Sequence, residues 1–266
     1  MKEKNFIILC SSSSNSSNTI SKNIEKNEFQ IQYLGHSAFV LTDELGTSVG
    51  IDFYASDSFP YAEDVPKSMG SFKKEDISKL LISHSHADHS FVPAGFDSLK
   101  GYDNITNKVK DEPKLITIGK FDIGQYRAFH FSDNDFENTV FVFNVDEVKV
   151  VHLGDAFGTM ADLQKLKELK DKIGDIDILI MSIGDPDCEK VDFNILQNTM
   201  NLMNSKVVIP IHYWHVADKK EFSDNSLKLG YSVEDKKENY ISVSKKMLSS
   251  LKGTTIRNIT PTTFSK

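Results

Sequence analysis

The chain of 266 residues has few cysteines, no excess of basic residues and no apolar run long enough to cross a membrane. Its two cysteines, Cys10 and Cys188, are too few for a disulfide framework. The apolar run at 6–10 is too short for a secretory signal, and we predict no transmembrane segment. The formal charge of -7 argues against a surface that follows a phosphate backbone, so nucleic acid is not an expected partner.

The amino-terminal region differs in composition from the rest of the chain. A Ser/Asn-rich stretch at 11–18 cannot bury enough apolar area to fold, which predicts a flexible tail over residues 1–28. Residues 29–266 are enough for one domain with one large core. We expect a cytoplasmic protein. A cysteine followed by a Ser-rich segment is also typical of bacterial lipoproteins, so anchoring through Cys10 is the alternative, and it requires a start further upstream.

One short segment joins an apolar strand to a group of metal-binding side chains. Residues 80–82 are Leu-Leu-Ile, and His84, His86, Asp88 and His89 follow within seven positions. Polar groups directly after a core strand are costly unless something pairs with them, which favours a metal site over the alternative of a solvated loop. Nitrogen and carboxylate ligands without thiolate suit zinc best, with manganese and iron as alternatives.

Three other predicted strands also end in a residue that can bind a metal ion. His130 lies near the end of a strand that begins after Gly124. Asp155 comes after a β-branched run and Gly154, which frees the backbone to turn. His212 ends the apolar run at 206–211. Four strand-to-loop transitions therefore carry candidate ligands.

The periodicity of apolar residues predicts a mixture of strands and helices. Strands are expected at 29–34, 39–42 and 48–53, before the His-rich segment. Helices are expected over Thr159–Ile173, ended by Gly174, and over Asp192–Met203. The mixture predicts two packed sheets with helices outside.

The order of these residues resembles the metallo-β-lactamase superfamily, whose HxHxDH motif matches residues 84–89, and the similarity extends over about 30–214. The resemblance implies an α/β (α+β) fold, a four-layer αββα sandwich, and a centre of two divalent ions. The first ion would be bound by His84, His86 and His130. The second would be bound by Asp88, His89 and His212, with Asp155 bridging both.

Segments outside the motif favour one branch of this superfamily. The third histidine lies in Ala-Phe-His-Phe at 128–131 and not in a Pro-Gly-His-Thr turn, which argues against a lactamase or glyoxalase. The segments at 35–39, 50–52 and 209–213 are similar to the branch of ascorbate-6-phosphate lactonase. That branch usually has proline after the aspartate at position 52, whereas Phe53 follows here.

The resemblance implies a hydrolase in which a metal-bridging hydroxide attacks a small-molecule ester, lactone or phosphodiester. Metal binding lowers the pKa of water from about 15.7 to about 7, which supplies that nucleophile. Asp88 would both bind metal and orient the hydroxide. One alternative is a non-catalytic metal-binding or sensor protein. Another is a metal-dependent oxidoreductase on the same fold, although such proteins usually carry glutamate where His86 stands.

Residues beside the predicted ligands are candidates for other roles. His36, Tyr213 and His215 are expected to contact a substrate, with exposed surface as the alternative for His215. His152 lies inside a strand, which favours a hydrogen-bonded core or supporting histidine over a ligand. Several aromatic residues could line a pocket or belong to the core: Phe53, Tyr54, Phe59, Tyr61, Phe91, Phe96 and Trp214.

Overall fold

The strands form two sheets in the computed structural model, which describes residues 24–55, 72–100, 114–131, 137–184 and 191–261. Cys10, Cys188, Phe59, Tyr61 and the predicted tail before residue 24 lie outside these ranges. The strands are β1 (Phe29–Gly35), β2 (Ala38–Asp43), β3 (Ser48–Ile51), β4 (Lys79–Ile82), β5 (Ser98–Lys100), β6 (Lys114–Ile118), β7 (Phe121–Phe129), β8 (Glu137–Val145), β9 (Val148–His152), β10 (Ile178–Ser182), β11 (Val207–Ile211), β12 (Ser232–Lys236), β13 (Tyr240–Val243) and β14 (Thr255–Ile259). The helices are α1 (Phe157–Ala161), α2 (Leu163–Ile173), α3 (Phe193–Met203), α4 (Val216–Lys228) and α5 (Lys245–Ser249), with a 3-10 helix at Lys74–Asp76.

The order and direction of the strands bring several chain segments to one edge of the molecule. Six strands form a sheet in the order β13-β1-β2-β3-β4-β5, and eight form a second in the order β12-β14-β11-β10-β9-β8-β7-β6. Strands β9, β10 and β11 are parallel, and β7 runs in the same direction as β9 because both pair antiparallel with β8. The segments that follow β7, β9 and β11 therefore leave the second sheet at the same edge.

The main core lies between the two sheets. Side chains alternate in direction along a strand, so every second residue of a central strand faces the other sheet. Val150 and Ile180 of the second sheet are buried in one cluster with Ile31 of the first. Their chain neighbours Val151 and Leu179 point the opposite way and are buried with residues of α2 and α3. This arrangement confirms the predicted mixed α/β fold of two packed sheets with helices outside.

A third cluster covers the outer face of the six-stranded sheet. Leu34, Val40 and Leu80 of that sheet are buried there together with Phe53 and Tyr54. These two aromatic residues therefore belong to the core, which was one of their two predicted roles. Phe91 is by contrast 40% exposed.

The helix predicted over Thr159–Ile173 is two helices, α1 and α2. The break lies at Asp162, which has an extended backbone and whose carboxylate accepts hydrogen bonds from the backbone N–H groups of Gln164 and Lys165. A capping aspartate satisfies the free donors at the start of a helix, and here it begins a new one. Gly174 ends α2 with a positive φ of 77°, as predicted.

The segment beyond Trp214, in which no strand was predicted, completes both sheets. Strand β13 pairs antiparallel with β1, and β14 lies between β11 and β12 and runs parallel to both. Strand β12 is polar and only partly buried, so it lacks the apolar pattern of a core strand. In the described part of the chain, none of the helices is both long and apolar enough to cross a membrane.

Candidate metal centre

The seven predicted ligands converge where the two sheets meet at one edge. The segment after β4 supplies four of them, and the segments after β7, β9 and β11 supply one each. The structure brings them into three overlapping groups whose ligand atoms lie within 4.8 Å of one another. These groups are His84, His86 and His130; His84, His89 and Asp155; and His36, Asp88, His89 and His212.

The carboxylate of Asp155 lies at the centre of the cluster. Its Oδ2 atom is 3.7 Å from Nε2 of His84 and 3.5 Å from Nε2 of His130. The same atom is 3.2 Å from Nε2 of His89 and 3.1 Å from Nε2 of His212. Asp155 therefore adjoins ligands of both predicted metal ions.

The spacing and environment of these atoms fit a bound metal ion. Nε2 of His89, Nε2 of His212 and Oδ2 of Asp155 are buried and form no hydrogen bond among the described residues, although they lie close together. Two ligands of one tetrahedral ion with bonds of about 2.0 Å are separated by roughly 3.3 Å. Buried polar atoms that point at a common position are costly unless a cation lies between them. The donor set has only nitrogen and oxygen, which suits zinc, manganese or iron.

Hydrogen bonds around Asp52 fix which ring nitrogen of two histidines is available to a metal. Asp52 accepts hydrogen bonds from the backbone N–H of Ser83 at 2.7 Å, from its hydroxyl at 2.7 Å and from Nδ1 of His89 at 3.0 Å. The hydroxyl of Ser83 has thereby used its only hydrogen, so Nδ1 of His84 must donate to it over 3.0 Å. Both histidines therefore carry their hydrogen on Nδ1, which leaves Nε2 free to bind metal.

The turn that presents Asp155 depends on Gly154 and Asn138. Gly154 has a φ of +55°, and a Cβ there would lie 2.5 Å from Oδ1 of Asn138. That oxygen accepts the backbone N–H of Asp155 at 3.1 Å. Nδ1 of the buried His152 accepts the N–H of Gly154 at 3.1 Å, and its Nε2 lies 3.2 Å from the carbonyl of Ser37. This placement agrees with the predicted supporting role of His152.

Three polar residues at the site have an uncommon backbone conformation. His36, Asp52 and His212 have φ values of 49°, 48° and 55°. Such left-handed conformations cost free energy in residues other than glycine and tend to occur at functional sites. Their presence at this one edge is consistent with a site whose geometry is fixed by its surroundings.

The charged groups of the cluster shift one another's pKa values. Burial alone would raise the pKa of Asp155, but His212 and His89 hold it well below its ordinary value. Burial would lower the pKa of His212, but Asp155 raises it to about 9, and Asp155 likewise raises the pKa of His89. In His84 burial dominates and, together with His89, lowers the pKa. A divalent ion would replace the protons on His89 and His212, since metal binding requires neutral imidazole.

His36, a predicted substrate-binding residue, lies inside the cluster. It is 1% exposed, and its Nε2 is 3.0 Å from Oδ2 of Asp88. Burial, together with His212, lowers the pKa of His36 to about 3. Burial would raise the pKa of Asp88, but the nearby His89, His212 and His36 lower it below its ordinary value. A carboxylate only accepts hydrogen bonds, so His36 is the donor through Nε2.

Tyr213 and His215, also predicted to contact a substrate, are placed differently. Tyr213 is 3% exposed and packs in the core beneath the helices. His215 is exposed, and its backbone N–H donates to the carboxylate of Asp218 at the start of α4. The burial of Tyr213 does not support substrate contact. His215 is at the surface, which was its predicted alternative, and its contact with a substrate stays a prediction.

Aromatic rings lie around the cluster. The ring of Phe131 is 4.2 Å from that of His130, centroid to centroid, and the ring of Phe157 is 5.9 Å away. The ring of Trp214 is 5.5 Å from that of His212. Phe131 is 41% exposed and so reaches solvent. These residues form an apolar surface beside the metal-binding atoms.

Sequence reasoning assigned no role to Asp52, Ser83 or Asn138. The sequence did contain a signal for Asp52. It directly follows an apolar strand that pairs with β4, and the predicted ligands also lie at the ends of strands. The signal for Asn138 is weaker, since it is one buried amide within a long strand. Ser83 offered no signal beyond its position next to His84.

Comparisons with known sequences identify the family. A family model described as the beta-lactamase superfamily domain matches residues 30–212. A UPF0173 metal-dependent hydrolase from Methanosphaera stadtmanae is 25% identical over 213 residues, which cover 69% of this chain and 83% of that protein. A protein of the same name from Rubrobacter xylanophilus is 24% identical over 236 residues, which cover 77% of this chain and 91% of that protein.

Solved structures share the fold. One, described as a Zn-dependent hydrolase of the metallo-β-lactamase superfamily from Thermotoga maritima, has a TM-score of 0.56 and 23% identity, and the match covers 87% of this chain and 98% of that one. A diiron β-hydroxylase from Streptomyces venezuelae has a TM-score of 0.55 and 12% identity, and the match covers 89% of this chain and 54% of that one. At these identities the likeness shows the fold alone, and it confirms the predicted sandwich. Because the family model spans more than half of its length, the chain belongs to the beta-lactamase superfamily domain family.

Proposed function

We propose that the protein is a hydrolase that depends on two divalent metal ions, with zinc preferred and manganese or iron as alternatives. The observation that carries this proposal is the position of Asp155, whose Oδ2 lies 3.1–3.7 Å from Nε2 of four histidines. We assign one ion to His84, His86 and His130. We assign the other to Asp88, His89 and His212, with Asp155 shared. The names of the sequence relatives, metal-dependent hydrolases, support the same class of activity.

Two ions at these ligands would lower the pKa of a bound water to about 7 and polarise the oxygen of the scissile group. The role of the chain is to hold the ligands and to orient the water. We propose that Asp88 does the second, as the catalytic residue. Its side chain is 21% exposed whereas those of Asp155 and the four central histidines are buried, so it faces the accessible side of the cluster. His36 holds its Oδ2 atom, and Oδ1 would accept the hydrogen bond of the attacking water.

We propose a small-molecule ester or lactone as substrate, with a phosphodiester as the alternative. Phe131, Phe157 and Trp214 supply apolar contacts for the organic part of such a molecule. Within the described residues, the carboxylates of Asp88 and Asp155 pair only with histidines and with no lysine or arginine. This setting favours a neutral scissile group, an ester or lactone, over a phosphodiester. An ester or lactone bond is also what the similarity to the ascorbate-6-phosphate lactonase branch implies, and we keep that branch as a proposal.

The experiment that tests the proposal combines metal analysis with a substrate panel. Protein produced with zinc, manganese and iron present together is analysed for bound metal, then assayed against esters, lactones and phosphodiesters. We expect hydrolysis that a chelator abolishes and that added metal restores. Asp88→Asn should lose most of this activity, and Asp122→Asn, which alters an exposed carboxylate bound to Thr117, is its control. Complete inactivity of protein with two bound metals would support a non-catalytic metal-binding or sensor protein instead.

A metal-dependent oxidoreductase is the second candidate, since a diiron β-hydroxylase shares the fold. His86 lies with His84 and His130 in one group of ligand atoms. A histidine at this position argues against the glutamate-containing centre of di-iron flavoproteins. Iron as the sole bound metal, with oxygen consumption and no hydrolysis, would support this candidate over the first.

A further inference from the structure

His36 is connected to two predicted ligands of the same metal ion. Its Nε2 donates to Oδ2 of Asp88 over 3.0 Å. Its backbone carbonyl accepts the N–H of His212 at 3.1 Å and the hydroxyl of Tyr33 at 2.9 Å. Asp88 follows a strand of the six-stranded sheet, whereas His212 follows a strand of the eight-stranded sheet. One residue therefore links ligands that come from different sheets.

The position of His36 is fixed from several sides. It lies in the turn between β1 and β2, next to an irregularity in their pairing at Tyr33 and Gly35. Its left-handed backbone conformation costs free energy, and such conformations persist only when the surroundings determine them. Its ring is buried 4.0 Å from that of His212 and 5.3 Å from that of Trp214, measured between centroids. A side chain held in this way can hold a neighbouring carboxylate in turn.

We propose that His36 is a positioning residue for the metal ion bound by Asp88, His89 and His212. It orients Asp88 through its side chain and His212 through its backbone. This inference rests on the proposed function, because it presupposes two bound ions. Removing a hydrogen-bond partner of a metal ligand typically weakens metal binding about 10–100-fold. His36 should therefore control the affinity of one ion and leave the other unchanged.

The test compares two substitutions of His36. His36→Ala removes the donor, whereas His36→Gln keeps an N–H donor on a side chain of similar reach. Asn204→Ala is the control, because Asn204 is an exposed residue outside the cluster with the same φ of 49°. Zinc content and the two dissociation constants are measured by competition with a chromophoric chelator, and circular dichroism reports whether each variant is folded.

We expect His36→Ala to bind one zinc ion as the wild type does and the second about 10–100-fold more weakly. His36→Gln should regain most of that loss, and Asn204→Ala should bind as the wild type does. A His36→Ala variant with unchanged affinities would overturn the proposal. So would a folded His36→Gln variant as weak as His36→Ala, since the N–H donor would then not be what holds the ion. If His36→Ala fails to fold, His36→Phe, which keeps a buried ring and removes the donor, takes its place with the same expected loss. Fewer than two zinc ions in the wild type would instead refute the dinuclear function, and this inference with it.

Discussion

Asp52 offers a direct test of how the chain prepares its histidines for metal. In Asp52→Asn the side chain keeps its shape, and its oxygen must remain towards the backbone N–H of Ser83, now 2.7 Å away. The new NH₂ group then replaces the oxygen that accepts from the hydroxyl of Ser83 and from His89. Because an amide NH₂ only donates, His89 must accept at Nδ1 and place its own hydrogen on Nε2.

The same change reaches His84 through the hydroxyl of Ser83. That hydroxyl would accept from Asn and donate to Nδ1 of His84, which reverses the present direction of the 3.0 Å hydrogen bond. Two imidazoles would then carry hydrogen on Nε2, the atom that faces the metal position. If each altered ligand costs about 10–100-fold in affinity, the loss is about 10²–10⁴-fold. This corresponds to about 3 to 5.5 kcal/mol of binding free energy.

The assay is a zinc competition titration of the wild type, Asp52→Asn and Asp122→Asn. The last variant makes the same chemical change in an exposed carboxylate, which accepts the hydroxyl of Thr117 at 2.7 Å. We expect weak zinc binding in Asp52→Asn alone, with circular dichroism showing a folded chain for all three. Zinc affinity in Asp52→Asn within a few-fold of the wild type would refute the reasoning on tautomers.

Three further predictions concern the same centre. Asp88→Asn should keep at least one metal ion and lose most turnover, and wild-type rates in the metal-loaded variant would show that Asp88 is not the catalytic residue. Gly154→Ala should lower the free energy of unfolding, measured with urea, by more than Gly230→Ala. Both change a left-handed glycine at a cost of about 1–2 kcal/mol, but only at Gly154 would the Cβ clash. Zinc affinity should rise with pH up to about 9, the pKa of His212 in the metal-free protein, because zinc displaces that proton. Calorimetry in buffers of different ionisation enthalpy would detect the released protons, and their absence would contradict this assignment.

The candidate ligands could be predicted because each lies at or after the end of a predicted strand. The rule needs only local sequence, and it singled out His84, His130, Asp155 and His212 as candidates. Their convergence at one edge follows from the order and direction of the strands. Strand pairing is not local. The pairing of β13 with β1 and the insertion of β14 beside β11 join segments far apart in the chain, and β12 is too polar to be recognised.

The directions of individual side chains could not be predicted from the sequence either. Tyr213 directly follows His212, yet it is buried in the core. His36 precedes a strand by two positions, and only its left-handed backbone aims its ring at Asp88. The division of one predicted helix at Asp162 was recognisable in principle, since aspartate is a common helix cap. The periodicity of the leucines that follow it concealed the break.

The two sheets are joined by different interactions at the site and in the core. Between the faces of the two sheets the contacts are apolar. Such contacts are not directional, so they stabilise the sandwich but do not fix the positions of individual ligand atoms. At the metal-binding edge, directional bonds cross between the sheets instead. The backbone N–H of Thr139 donates to the carbonyl of Ser83 at 2.9 Å, and that of His212 donates to His36 at 3.1 Å. Each proposed ion also takes ligands from both sheets, so metal binding would stabilise the same register that these bonds establish. The geometry of the centre is therefore a property of how the sheets meet. This is why residues to which we assign no metal ion, such as Asp52 and His36, are expected to control its affinity.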